Sequence, residues 1–173
     1  MQSIFTNLNG LNKKLLTEII KNGDTVIDAT LGNGWDAVYL AKLVGPEGKV
    51  FGFDIQEEAV TRSSERMKKE GISNYNFLVE SHSEMDSYVK EASAIVFNLG
   101  YLPGGSKEIR TDSITTLEAI KKALKILKSP GIIGIMFYTG HPGGKEEKDI
   151  VIPFLEDLNK RKYDVLKVEH ING

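Results

Sequence analysis

The chain has 173 residues, 40% of them hydrophobic, which is enough for one sizeable core and too few for two ordinary domains, so residues 1–173 are read as a single domain. The formal net charge of −2 gives no global basic field, so a nucleic-acid partner would have to be held by a local basic patch. The absence of cysteine excludes a disulfide scaffold, a thiolate metal site and a cysteine nucleophile. No signal peptide or membrane-length apolar run is seen, and a cytoplasmic address without a membrane partner is the expectation.

What recurs along the chain is a strand followed by a helix. Residues 25–29 read as a buried strand, and 36–44 carry helical apolar spacing at Ala37, Leu40, Ala41 and Val44. Gly45-Pro46-Glu47-Gly48 is a turn, 49–55 a second strand, 57–70 a polar-faced helix and 75–79 a third strand. A weak helix over 84–90 and a fourth strand over 94–98 follow, then a glycine- and proline-containing loop over 99–111. The clearest helix begins at Asp112 or Ser113, with Ile114, Leu117, Ile120, Leu124 and Leu127 on one face, and Pro130-Gly131 ends it. Residues 132–138 read as a fifth strand buried on both sides, 146–160 as a helix interrupted by Pro153, and 163–170 as a sixth strand. This alternation predicts an α/β fold, a doubly wound, mostly parallel Rossmann-like sheet, with ligands bound outside the carboxyl ends of the strands.

The first strand–helix junction, Gly32-Asn33-Gly34-Trp35-Asp36-Ala37, matches G-x-G-x-x-A, and Asp54 ends the next strand about 20 residues on. Glycines let the backbone approach a ligand, the helix start offers free N–H groups, and a carboxylate at the second strand end accepts hydrogen bonds from both ribose hydroxyls. The pattern alone suits either NAD or S-adenosylmethionine. Asp28, just before the loop, favours the second, because it would face the ammonium of a methionine moiety and repel a pyrophosphate. Asn33 supplies a polar side chain to a cofactor that has no phosphate. The plain alternative is a tight turn in which Asp28 and Asp36 only cap the helix.

Ser81-His82 follows the third strand, where a hydroxyl or imidazole would border an adenine; an ordinary surface pair is the competing reading. The loop from Asn98 through Tyr101 to Gly105 ends the fourth strand, beside the first in a doubly wound sheet. It is similar to the loops of amino-group methyltransferases, in which an asparagine accepts from the target N–H groups and an aromatic stacks on the base. The alternative is a structural turn with Tyr101 facing the core. His141, after the fifth strand, is a candidate substrate contact or proton acceptor, and Thr115 and Thr116 either back the site or complete a cap. Lys107 and Arg110 are the better candidates for RNA contact, whereas Lys121, Lys122, Lys125 and Lys128 read as a solvated helix face.

Asp28-Ala29-Thr30, Gly32-Asn33-Gly34, residues 52–56, Ser81-His82, residues 98–105 and residues 140–144 together resemble the small bacterial methyltransferases labelled rRNA methylases. Members of that family are assigned to methylate the 5-aminomethyl group of 5-aminomethyl-2-thiouridine at the tRNA wobble position. The resemblance runs from about residue 25 to 170 and implies a class I methyltransferase fold. It implies S-adenosylmethionine as donor, with S-adenosylhomocysteine as product, and an RNA partner, first the tRNA anticodon stem-loop. It implies cofactor contacts at Asn33, Trp35 or Asp36, Asp54, Gln56, Ser81 and His82. One departure stands out: this fold ends with an antiparallel seventh strand between the fifth and sixth, whereas this sequence stops at Ile171-Asn172-Gly173. The expectation is that a further tail, or a partner chain, supplies it.

The reading is therefore an S-adenosylmethionine-dependent RNA methyltransferase. Asn98 and Tyr101 would orient the acceptor. Asp28, Gly32, Asn33, Gly34, Trp35, Asp36, Asp54, Gln56, Ser81, His82 and Asn98 would surround the cofactor. Tyr101, Lys107, Arg110 and His141 would meet the substrate, and no metal is expected. Methylation of rRNA or a small molecule, an NAD-dependent oxidoreductase and a non-catalytic nucleotide-binding module stand as alternatives. The residues do not decide between a monomer and a homodimer.

Overall fold

Residues 7–100, 112–140 and 143–170 are described in the structure, a computed structural model. The first element, α1 (Leu8–Ile19), is one the strand–helix alternation did not predict. The Asn7 side chain caps it by accepting from the N–H groups of Asn9 and Gly10, and Leu16 and the following Ile20 bury against the domain. The apolar spacing at Leu8, Leu11, Leu15 and Ile19 was the available signal.

The remaining elements are β1 (Thr25–Asp28), α2 (Trp35–Val44), β2 (Lys49–Asp54), α3 (Glu57–Lys69), β3 (Tyr75–Val79), a 3-10 turn at His82–Glu84, α4 (Met85–Tyr88), β4 (Ala92–Leu99), α5 (Ser113–Ile126), β5 (Leu127–Phe137) and α6 (Gly144–Glu156). The five strands form one parallel sheet in the order β3-β2-β1-β4-β5. The chain winds outward from β1 to β3, then crosses back to β4, so the order reverses between β1 and β4.

Alternation along the strands divides the core into two layers. Val26, Val50, Ala94 and Val96 face a cluster with α1, α2 and α3, including Leu16, Leu40 and Met67. Ile27, Phe53, Ile95 and Phe97 face the other, with Met85, Ala119, Ile120 and Ala123. Full burial of each large apolar side chain contributes about 1.5–3 kcal/mol, which is why the central strands β1 and β4 read as continuous apolar runs.

Three expectations need correction. The buried face of α5 is Thr116, Ala119, Ile120, Ala123 and Ile126, whereas Ile114 is 74% exposed. Small residues let the helix lie close on the sheet. Strand β5 begins at Leu127 and carries an irregularity, since Ala92 pairs with Leu127 and Ala94 with Ile132; only Gly134 along it is buried. It is half-buried because it lies at the sheet edge. Residues 163–170 form no strand. They run beside β5 across a groove of about 790 Å³, with Val165, Leu166 and Val168 exposed. No described strand fills that groove, so their backbone is held out of reach of the free edge of β5. Among the described residues no helix is long and apolar enough to cross a membrane.

Candidate active site

A cavity of about 960 Å³ opens at the carboxyl ends of the strands, over the β1–β4 switch point. At its floor, Asp28 ends β1 and is 1% exposed. Its carboxylate accepts from the N–H of Thr30 at 3.2 Å and from the backbone of Ala37, so it does cap α2. Burial, reinforced by Asp36 and Asp54, pushes its pKa up to about 8. A cation placed beside it would relieve both the desolvation and the like-charge repulsion.

The glycine loop is tied down on three sides. Gly34 holds φ +77° at the N-cap of α2, and a Cβ there would come within 2.9 Å of Ser63 Cα, so only glycine lets α3 pack this close. Ser63 donates to the Gly32 carbonyl at 3.0 Å, and Arg66 donates to the Asn33 carbonyl at 2.7 Å. Arg66 also stacks 3.4 Å from the centroid of Trp35, whose ring is 64% exposed at the rim. Asp54 closes the loop from β2. Its Oδ2 accepts from Gly32 N–H and its Oδ1 from Gln56 N–H, each at 3.0 Å. Burial raises the Asp54 pKa against the opposing effect of those two amides.

The third strand ends beside the cavity. Ser81 caps the 3-10 turn, accepting from Ser83 N–H and lying 2.9 Å from the Ser83 hydroxyl, so its side chain is engaged locally. His82 Nδ1 lies 3.1 Å from the Ala29 carbonyl, which can only accept, so Nδ1 carries the hydrogen. Burial lowers the His82 pKa, opposed by that hydrogen bond and by Asp112, and the neutral ring is left with Nε2 as an acceptor.

Asn98, near the end of β4, lines the cavity. Its N–H donates to Thr30 Oγ1 at 2.6 Å, and its Nδ2 donates to Asp36 Oδ2 at 2.8 Å. Asp36 Oδ1 in turn lies 3.0 Å from Lys13 Nζ of α1. Thus Asp28, Gly32, Asn33, Gly34, Trp35, Asp36, Asp54, Gln56, Ser81, His82 and Asn98 all line one cavity. Tyr101, Lys107, Arg110 and His141 lie outside the described residues. Thr116 is buried and donates to Glu147 at 2.6 Å, while Thr115 lines the cavity. Lys122 of α5 is held by the Ser83 carbonyl, Asp86, Glu84 and Glu118, and Lys128, which lies in β5, by Asp24, so neither belongs to a freely solvated helix face.

Sequence reading missed Thr30, Tyr138 and Lys13. Thr30 lay inside the motif but was given no role. Tyr138, the residue after β5, is half-exposed at the cavity, and burial together with Asp36 raises its pKa, opposed by Lys13. Lys13 sits on the helix that went unread. Among the described residues no group of acidic and histidine side chains is arranged to hold a metal.

Comparison with known proteins gives consistent matches. The family model described as "Putative rRNA methylase" matches residues 50–173. The chain is 40% identical over 170 residues to the chloroplastic tRNA (mnm(5)s(2)U34)-methyltransferase of Arabidopsis thaliana, covering 90% of this chain and 61% of that protein, so it spans about three-fifths of the relative's length. A crystal structure of a "putative rRNA-methylase" from Clostridium thermocellum superposes with a TM-score of 0.94 at 38% identity, covering 96% of this chain and 91% of the other. SMU.1697c, a "putative methyltransferase" from Streptococcus mutans crystallised with SAH, gives 0.90 at 35% identity, covering 100% and 93%. Sheet order, the motif between β1 and α2, and a family match over more than two thirds of the sequence converge: the chain belongs to the rRNA methylase family of class I methyltransferases.

Proposed function

We propose that this protein transfers a methyl group from S-adenosylmethionine to the 5-aminomethyl nitrogen of a modified uridine, with or without a 2-thio group, at the tRNA wobble position. The cavity fits that cofactor chemically. Asp54 is a carboxylate at the β2 end, suited to a ribose diol, and Asp28 is a buried acid that gains from a neighbouring cation. Gly32, Asn33, Gly34 and Trp35 would border the methionine end, and Gln56, Ser81 and His82 the adenine end. The cofactor supplies an electrophilic methyl on a sulfonium.

The observation that carries the amine reading is Asn98. One N–H of its Nδ2 is given to Asp36, which turns the carboxamide so that the acceptor Oδ1 lies on its other side, and an acceptor suits a target bearing N–H. An amine must be neutral to attack, and a desolvated pocket with acceptors both lowers its pKa and aims its lone pair. Positioning of this kind carries much of the rate in group transfer. Tyr101 would stack on the base, and Lys107, Arg110 and His141 would meet the anticodon stem-loop. The similarity to the plant tRNA methyltransferase supports the tRNA substrate.

A second reading, methylation of ribosomal RNA, rests on the family description. Both are tested together by incubating the protein and S-adenosylmethionine with tRNA and rRNA from cells lacking the enzyme, followed by nucleoside mass spectrometry. The expected result is one added methyl on 5-aminomethyl(-2-thio)uridine of tRNA and none on rRNA; methyl on rRNA alone would reverse the assignment.

A further inference from the structure

Asn98 belongs to a chain of contacts that reaches the protein surface. Lys13 of α1 lies 3.0 Å from Asp36 Oδ1, and Asp36 Oδ2 accepts from Asn98 Nδ2 at 2.8 Å. Lys13 is itself fixed by α2. Tyr39, one turn after Asp36, donates its hydroxyl to the Lys13 carbonyl at 2.9 Å, and the Lys13 ammonium lies 5.2 Å from the Tyr39 ring centroid. Thr17 adds a bond to the same carbonyl at 2.9 Å. The Lys13 and Asp36 side chains are 32% and 19% exposed, so the pair is partly shielded from solvent.

A primary carboxamide presents a donor at one end and an acceptor at the other, and nothing intrinsic decides which end faces a ligand. A carboxylate can only accept, so Asp36 decides it. Lys13 occupies one Asp36 oxygen and leaves the other for Asn98. The Asn98 backbone is held separately by Thr30 Oγ1 at 2.6 Å, so the side-chain torsion is the remaining freedom. No described residue donates to Asn98 Oδ1.

We propose that Asp36, anchored by Lys13, is a positioning residue that locks the Asn98 carboxamide with its oxygen toward the acceptor amine, rather than a cofactor ligand. The proposal rests on the amine-methylation reading. It gives the N-terminal helix a part in the chemistry and makes the site selective for targets that donate N–H. A neutral residue at 36 leaves Asn98 free to turn its NH₂ toward the amine, where it would hydrogen-bond the lone pair that has to attack.

The test compares wild type, Asp36→Asn, Lys13→Met and Lys13→Arg, with Asn98→Ala as benchmark. Three readouts are used: calorimetric affinity for S-adenosylhomocysteine, steady-state methylation of undermodified tRNA, and the ¹⁵N–¹H resonances of the Asn98 side-chain amide without substrate. Asp36→Asn is expected to lower kcat roughly 10- to 100-fold, the size expected for a misdirected reacting group. Cofactor affinity should stay within about threefold, since the lost contact is not with the cofactor. The Asn98 NH₂ resonances should shift or broaden. Lys13→Met should fall between Asp36→Asn and wild type in kcat, and Lys13→Arg should recover most of the loss. If Asp36→Asn does not fold, Lys13→Met carries the same comparison.

Unchanged NH₂ resonances in the variants, or a loss of cofactor affinity that accounts for the whole rate defect, would overturn the proposal. So would full kcat in Asp36→Asn. An inactive wild type with NH₂ resonances that still depend on Asp36 would instead reject the tRNA substrate while keeping the locked carboxamide.

Discussion

Asp28 is 1% exposed beside two further carboxyl groups, and its carboxyl keeps its proton up to about pH 8. The unfolded chain releases that proton near 3.8, the ordinary aspartate value. Between those values the folded state binds the extra proton, so this residue's contribution is full below the lower value and is lost as pH rises through the upper one. Asp28→Asn keeps an acceptor for the Thr30 and Ala37 N–H groups and removes the titration. Urea melts across that window should show wild-type stability falling with pH relative to the variant; parallel curves would contradict the assignment. The same proton links to the ligand. Affinity for cationic S-adenosylmethionine should rise with pH up to about 8, and calorimetry in buffers of different ionisation enthalpy should detect proton release near pH 7. Asp54 makes a separate prediction. Losing its carboxylate removes charge-assisted bonds worth about 1.5–3 kcal/mol each. Asp54→Ala should therefore weaken S-adenosylhomocysteine binding by roughly 100-fold or more in titration, and unchanged affinity would refute its ribose role. Both carboxylates were legible in the sequence because each ends a strand, Asp28 just before the glycine loop and Asp54 about 20 residues beyond it. The reversal of Asp28 from standing anion to proton holder was not, since it depends on burial and on Asp36 and Asp54 folding in around it.

At the scale of elements, the β1–α2 junction depends on α3. Ser63 Cα would lie 2.9 Å from a Cβ on Gly34, and Gly34 has a left-handed φ of +77°. Gly34→Ala combines backbone strain with a clash against backbone and should cost roughly 1–3 kcal/mol, read as a lower urea midpoint with an unchanged slope. Cofactor affinity should fall with it, because Gly32 and Asn33 are held by the same α3 side chains. The glycines were visible as a motif, but the partner that requires them was not, since Ser63 is 29 positions further on. Strands β1 to β4 and helices α2, α3 and α5 stood out because each buries enough apolar surface to leave a periodic signal. Helix α1 buries only Leu16 fully, too little apolar surface to leave a strong periodic signal. Residues 163–170 have strand-like composition, yet β-structure needs a neighbour within hydrogen-bonding reach, and a groove separates this segment from the free edge of β5.

For the whole molecule, the cavity is lined from the ends of all five strands, so a ligand there couples to the global fold. A ligand at about 100 times its Kd adds about 2.7 kcal/mol, which for a domain of this size is a rise of roughly 5–10 °C in melting temperature. S-adenosylhomocysteine should give that shift and NAD should give none, because ionising the buried Asp28 is favoured by the ammonium that S-adenosylhomocysteine brings and opposed by a pyrophosphate. A shift with NAD alone would return the chain to the oxidoreductase reading. The amino-acid sequence by itself determined the doubly wound sheet, the strand ends that carry the site and the carboxylates and asparagine that line it, because burial and turn chemistry are local signals. Tertiary structure alone decided which groups hold one another: Asp36 between Lys13 and Asn98, Gly34 against Ser63, and Asp28 as a buried, protonated acid. Those are contacts between residues far apart in sequence, and their energies exist only once the chain has closed around them.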